Sequence, residues 1–323
     1  MIQSRGATQR LISNLTNAQS TDNQSLTAFN SSGFSIGTAN SININAGTFA
    51  SWTFREQPKF FDVVTYTGDG AANRAISHNL GSAPGCIFVK PTSAVGDWIV
   101  YHRGLTTPTS QALYLNTTDA PVGVSYFPTQ PTSTNFYVAE NGYDVNNNGV
   151  TYVAYLFAHD AGGFGLTGTD NVISCGSFNA SGGIGSVNLG YEPQWLLFKR
   201  SNGVDDWLLF DNMRGMTTPP TEAALLRPNS SAAELAASGA YITPTATGFD
   251  FNYGGGGLFI YIAIRRGPMK VPTSGTSVFS PISATPTSGP KTTFTTNFPT
   301  DLIIERNISN SDSPYFVDRL RGG

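Results

Sequence analysis

The chain repeats itself, and this constrains its fold more than any other feature. Asn79-Leu80-Gly81 is followed by Pro84, Lys90 and the pair Asp97-Trp98. Asn188-Leu189-Gly190 is followed by Pro193, Lys199 and the pair Asp206-Trp207. All seven identities are offset by 109 residues without a gap. Both copies run on to an Arg-Gly pair, at Arg103-Gly104 and Arg214-Gly215, each followed by an apolar residue and Thr-Thr-Pro. Self-similarity at a fixed period is the mark of one supersecondary unit used more than once. The fold must therefore be one that roughly 100 residues can build, and build again.

A third copy is divided between the chain ends. Tyr315 to Gly322 (YFVDRLRG) aligns with Leu208 to Gly215 (LLFDNMRG) at an offset of 107, with Pro314 in place of the tryptophan and Glu305 in place of the lysine. The complementary half begins at Arg5-Gly6. Its Gly33-Phe34-Ser35-Ile36 matches Asn135-Phe136-Tyr137-Val138 and Gly248-Phe249-Asp250-Phe251. Its FASWTFR (Phe49 to Arg55) matches YVAYLFA (Tyr152 to Ala158) and FIYIAIR (Phe259 to Arg265). The organisation expected is an N-terminal half-unit (1–57), two complete units (60–160 and 170–267) and a C-terminal half-unit (276–323) that completes the first. A piece of about 50 residues is near the lower limit for a self-sufficient core. Closure within one chain is preferred because it costs no association entropy. Pairing between chains would give a ring or filament. Deleting 1–57 is then expected to unfold 276–323 and to spare the central units.

Within the first complete unit, short apolar runs lie between Gly, Pro, Asn and Thr turns. They predict strands over Val63–Thr67, Cys86–Lys90, Trp98–His102, Ala112–Asn116, Phe136–Ala139 and Thr151–Phe157. The last is apolar on both faces, which suits a strand buried on both sides or lying between units. One short helix is expected over Ala232–Ala237, and linkers over Glu56–Lys59, Asp160–Asp170 and Gly267–Ser277. Thr, Ser and Asn together supply 92 of 323 residues, and only 12% are charged, about half the common share of roughly 25%. Helical bundles draw on Ala, Leu, Glu, Lys and Arg, so the composition excludes one. The fold class expected is all-β: tandem β-sandwich or jelly-roll-like units of about 100 residues.

The same arithmetic excludes several functions. A net charge of −3 gives no electrostatic reason to expect nucleic acid. The longest strongly apolar run, Leu258 to Ile264, is far short of the roughly twenty residues of a spanning helix, so no membrane insertion is expected. Neither Cys86 and Cys175 nor His78, His102 and His159 show metal-ligand spacing, and the histidines are read as surface or strand-end residues. Gly163-x-Gly165-x-x-Gly168 imitates a dinucleotide fingerprint but precedes a strand, so no helix N-terminus awaits a pyrophosphate. No cofactor is expected.

Asp144-x-Asn146-x-Asn148-Gly149 imitates the first half of a calcium loop. The closing glutamate would fall at Tyr155, so the segment is read as a turn, with Asp144, Asn146 and Asn148 as a weak calcium candidate. Asp205-Asp206 could pass for paired glycosidase carboxylates. Asp206 recurs as Asp97, each before a tryptophan, and this favours a structural role. Trp98, Tyr101, Trp207 and Phe210 recur at matched positions and are read as core. Aromatics not shared between units, Tyr126, Phe127, Tyr143, Tyr191 and Tyr253, are the candidates for binding through loops.

The runs VVTYTGDGAANRAISHNLGSAPGCIFVK and GVTYVAYLFA, with the Asp-Trp strand between them, resemble a β-rich repeat domain of structural proteins of tailed bacteriophages, marine ones especially. The matching residues are Tyr66-Thr67-Gly68, His78-Asn79-Leu80-Gly81, Pro84, Lys90, Trp98 and Thr151 to Ala158. The second unit departs, with Cys175 for Tyr66 and Val187 for His78. The resemblance implies a non-enzymatic virion protein, associated with a tail or fibre and assembled in the host cytoplasm. Its expected partners are other virion proteins, further copies of itself (a trimer is the habit of tail fibres) and host-surface glycan. A capsid decoration protein and a glycan depolymerase are the alternatives.

Overall fold

The computed structural model describes residues 6–214, 216, 223–237 and 241–267, and the backbone of two strands at 302–305 and 315–318. The N-terminal segment carries two small hairpins, β1 (Gln9–Arg10) with β2 (Ser20–Thr21) and β3 (Leu26–Asn30) with β4 (Gly33–Ile36), then a single-turn helix α1 (Asn40–Asn43). Next come β5 (Phe61–Thr67), β6 (Arg74–Ser77), β7 (Cys86–Pro91), β8 (Ile99–His102), β9 (Leu113–Tyr114), β10 (Asn135–Val138) and β11 (Thr151–Phe157). The following region holds β12 (Ile173–Ala180), β13 (Ile184–Asn188), β14 (Pro193–Arg200), β15 (Trp207–Asp211), β16 (Ala223–Leu225), β17 (Leu235–Ala237), β18 (Tyr241–Thr245), β19 (Gly248–Asn252) and β20 (Gly257–Arg265). The last two strands are β21 (Leu302–Glu305) and β22 (Tyr315–Asp318). The protein is all-β, with several separate antiparallel sheets.

Two sheets dominate, ordered β5-β11-β7-β8-β9 and β12-β20-β14-β15. In each, the last strand in sequence lies between the first strand and the strand that carries the repeated lysine, Lys90 or Lys199. A smaller sheet accompanies each one: β10-β6 in the first region, β13-β19-β18 in the second. The hairpins β7–β8 and β14–β15 share a register, Cys86 facing His102 as Trp195 faces Asp211.

The near-continuous apolar run of β20 follows from its position. Phe259, Tyr261 and Ala263 pack on Phe249, Phe251 and Ile242 in one core. Ile260 and Ile262 point the other way, into a core shared with Ile87, Val89 and Tyr101 of the first sheet. Phe54 of the N-terminal segment enters that shared core, 6.1 Å from Phe157 and 5.9 Å from Trp195 between ring centres.

All six strands expected in the first unit are present with ends within two residues, and Thr151–Phe157 coincides with β11. The run expected over Ala112–Asn116 shortens to β9, and β6 was not foreseen. The helix expected at Ala232–Ala237 is absent: 231–234 is irregular and Leu235–Ala237 pairs with Ala223–Leu225 as a strand. Pairing with β16 overrides local alanine propensity there. Past Gly267, the linker Gly267–Ser277 lies outside the described residues, as does most of 276–323. The chain divides into two compact units, Met1–Arg266 and Gly267–Gly323.

Candidate functional site

The most distinctive chemistry sits where the lysine and tryptophan of each main sheet meet an earlier stretch of chain. Lys90 and Lys199 are the next-to-last residues of the apolar strands β7 and β14, and both are fully buried. Lys90 Nζ donates to the carbonyls of Thr16 at 3.0 Å and Gly96 at 2.8 Å. Lys199 Nζ donates to Thr118 at 3.1 Å and Arg200 at 3.4 Å. The indole Nε1–H of Trp98 donates to Ile12 O at 3.1 Å, and that of Trp207 to Tyr114 O at 2.9 Å. Main-chain bonds complete each joint, Gly96 N–H to Thr16 O and Asp205 N–H to Thr118 O.

Each joint thus reads two carbonyls four residues apart, 12 and 16 in one, 114 and 118 in the other. Burial lowers both lysine pKa values from 10.5 to about 8. A buried ammonium is tolerated only when its protons are accepted, and carbonyl acceptors meet that need here.

The recurring Asp-Trp pair has a local cause. Asn116 Oδ1 accepts the Trp98 main-chain N–H at 2.9 Å, and its amide donates to Asp97 at 2.7 Å. Asn229 does the same with Trp207 and Asp206, at 2.9 and 2.7 Å. Aspartate, asparagine and tryptophan together form a corner that presents the neighbouring carbonyls. Asp206 also pairs with Arg227 at 3.1 Å, so it is engaged structurally.

His102, read as a strand-end residue, is instead fully buried. Its Nε2–H donates to Tyr261 O at 3.1 Å and its Nδ1 accepts Gly104 N–H at 3.0 Å. Burial drives its pKa from 6.5 to about 3, so the neutral ring links β8 to β20. His78 is also buried; its Nδ1 accepts Leu80 N–H at 3.2 Å.

The loop aromatics are drawn inward. Phe127 is buried and meets Tyr101 edge-on at 5.6 Å. Tyr191 is buried, its hydroxyl donating to Ala263 O at 3.1 Å and bonded to Ser174. Neither ring offers a face to a ligand. Tyr126 is half-buried, bonded to the Tyr114 hydroxyl at 2.8 Å and 5.8 Å from the Tyr143 ring. Tyr143 and Tyr253 are half-buried as well, each packed on a core cluster. The structure brings Tyr126 and Tyr143 together and leaves Tyr253 at the edge of the second core.

The calcium candidate is occupied by protein groups. Asn146 is fully buried. Its Oδ1 accepts from Asp69 N–H at 3.2 Å and Arg74 at 3.1 Å, and its amide donates to Asp69 and Ala71. An oxygen already facing a guanidinium is not a cation ligand. Asp144 accepts from Asn147 at 3.4 Å, and the Asn148 N–H donates to Asn141. Among the described residues, no group of three His, Cys, Asp or Glu gathers as metal ligands.

Two shallow depressions, about 340 and 280 Å³, are lined by residues such as Thr65, Tyr66 and Tyr152 in one and Tyr101, Arg103 and His159 in the other. Neither lining contains a carboxylate. A family described as a domain of unknown function (DUF7483) matches residues 2–268. The chain belongs to that family. The match takes in both joints, from the Ile12–Thr16 corner to β20, and stops short of β21. No curated protein and no solved structure matches the chain.

Proposed function

We propose that this chain is a non-enzymatic structural protein of a tailed-phage particle. It is associated with the tail or a fibre, built of tandem sandwich-like units, and touches host-surface glycan through its exposed loops. The observation that carries the reading is the pair of joints. The groups most often used for chemistry elsewhere, two lysines and a histidine, are buried and spent on main-chain carbonyls. Joints of this kind make a rigid array from small units, which is what a load-bearing particle component needs. The resemblance to phage repeat domains supplies the location. A polar surface rich in Thr, Ser and Asn suits glycan contact without a deep pocket.

Antibody labelling of purified particles tests the location: label on the tail or fibre supports the reading, and a protein absent from particles overturns it. Label on the head would make it a decoration protein. Incubation with host polysaccharide tests the chemistry, since release of oligosaccharide would make it a depolymerase.

A further inference from the structure

The two complete units differ at one place where their backbones otherwise correspond. The Arg103 N–H donates to Gly85 O at 2.9 Å, as the Asn212 N–H donates to Gln194 O at 3.0 Å. Cys86 pairs with Phe157 as Trp195 pairs with Ile264. These registers set Ser82 against Tyr191, Ala83 against Glu192, Arg103 against Asn212 and His159 against Arg266.

In the second unit the place is filled and neutralised. Tyr191 is buried, and Glu192 Oε1 accepts from Arg266 at 2.8 Å. In the first unit serine and alanine stand in those two positions. A depression of about 280 Å³ opens beside them, lined also by Arg103, Gln130 and His159. A cation is present there, and a methyl group replaces the carboxylate. Among the described residues no carboxylate pairs with Arg103, where six other arginines each hold one.

Three further polar groups of the lining are unspent. The Ser82 hydroxyl oxygen is buried and meets no hydrogen-bond partner in the protein, an uncommon state for a buried polar atom. The Tyr101 hydroxyl donates to Gln130 Oε1 at 2.7 Å, which fixes the amide and leaves its NH2 to donate elsewhere. His159 Nδ1 accepts the Cys175 N–H at 3.2 Å. Burial lowers the pKa of this ring below 6.5, so at neutral pH it is uncharged and carries its proton on Nε2. Asp160 lies beside that same Nδ1 at 3.4 Å, is bonded to the Ser174 hydroxyl and is not part of the lining.

The depression therefore offers one fixed positive charge with amide, imidazole and hydroxyl groups around it, and Pro84 and Pro131 add apolar surface. A simple carboxylate would use the guanidinium and leave the other groups idle. A sugar ring that carries a carboxylate would use them all, its hydroxyls serving as both donors and acceptors. We propose that this depression binds a uronic acid residue of an acidic glycan, the carboxylate taken by Arg103 and the ring hydroxyls by Gln130, His159 and Ser82. The ligand neutralises a cation in the first unit as Glu192 does in the second. The proposal rests on the glycan reading above and names its substrate class and its place.

Isotopically labelled full-length chain is titrated with the methyl glycosides of glucuronic, galacturonic and mannuronic acid, and the Arg103 Nε and Gln130 amide signals are followed by NMR. At least one uronide is expected to shift both signals. It is expected to bind about tenfold or more tighter than neutral methyl glucoside, which lacks the charged hydrogen-bond acceptor. Arg103→Gln and Ala83→Glu are each expected to weaken that binding about tenfold or more, the second by restoring the second unit's carboxylate. Both positions are exposed, and the remaining spectrum reports that each variant is folded. No shift with any of the three uronides, equal affinity for the glucoside, or unchanged binding in Arg103→Gln would overturn the proposal. Acetate binding as tightly as the uronide would also overturn it, making the site a seat for any carboxylate. Host polysaccharide that binds the intact chain and Arg103→Gln equally would keep the glycan reading and overturn this site alone.

Discussion

At the scale of single residues, the joints depend on buried donors, the side chains of Trp98, Trp207, Lys90 and Lys199. Trp98→Phe and Trp207→Phe keep most of the ring packing and remove only the indole N–H. Each variant gives up one hydrogen bond, worth about 0.5–1.5 kcal/mol, so each is expected to lose about that much in urea unfolding, and the two losses should be similar. A loss below about 0.5 kcal/mol for either would show that its indole bond adds nothing to stability. His102 gives a pH signature. The folded ring stays neutral down to about 3, while the unfolded ring takes a proton near 6.5. In that window the unfolded state binds more protons, so stability falls as pH drops from about 6.5 toward 3. The slope from this one residue reaches about 1.4 kcal/mol per pH unit. His102→Asn should be less stable at neutral pH and show a shallower acid slope; an unchanged slope would mean that His102 is not the source.

At the scale of elements, strands are legible where apolar runs meet clear turns, as in β5, β7 and β11. The loops are not, because sequence does not say which polar side chain reaches back across a hairpin. Asn146 looked like a cation ligand by spacing, yet it ties the β5–β6 turn through four hydrogen bonds to Asp69, Ala71 and Arg74. Asn146→Ala is expected to cost about 1–2 kcal/mol by removing those hydrogen bonds. Calcium or a chelator should leave the wild-type melting temperature unchanged; a rise of several degrees in millimolar calcium would restore the cation reading. Phe127 and Tyr191 stand out in the sequence as loop aromatics that do not recur at matched positions, yet both are buried. Non-recurrence marks what differs between units, and a loop packed on its own core differs as readily as one that binds. Lys90 and Lys199 did carry a readable signal: a lysine ending an apolar strand twice, at a fixed distance from Asp-Trp. Its meaning needed the third dimension, since the carbonyls it binds lie 74 and 81 residues away.

At the scale of the whole molecule, the N-terminal segment does more than its sequence suggested. Ile12 and Thr16 accept the donors of the first sheet, and Phe54 fills the core shared by both sheets. Deleting 1–57 would therefore leave Lys90 and Trp98 short of acceptors. The first unit is expected to lose stability in that variant, measured by hydrogen exchange in β7 and β8; unchanged protection there would contradict the role given to the segment.

The central claim is that the corner at 114–118, holding Trp207 and Lys199, makes two units unfold as one. Calorimetry of the chain and of the double variant Trp207→Phe/Lys199→Met tests it most directly. The account predicts one cooperative transition for residues 6–267 in the wild type and two resolved transitions in the variant. Two transitions in the wild type, or a single unchanged one in the variant, would contradict it.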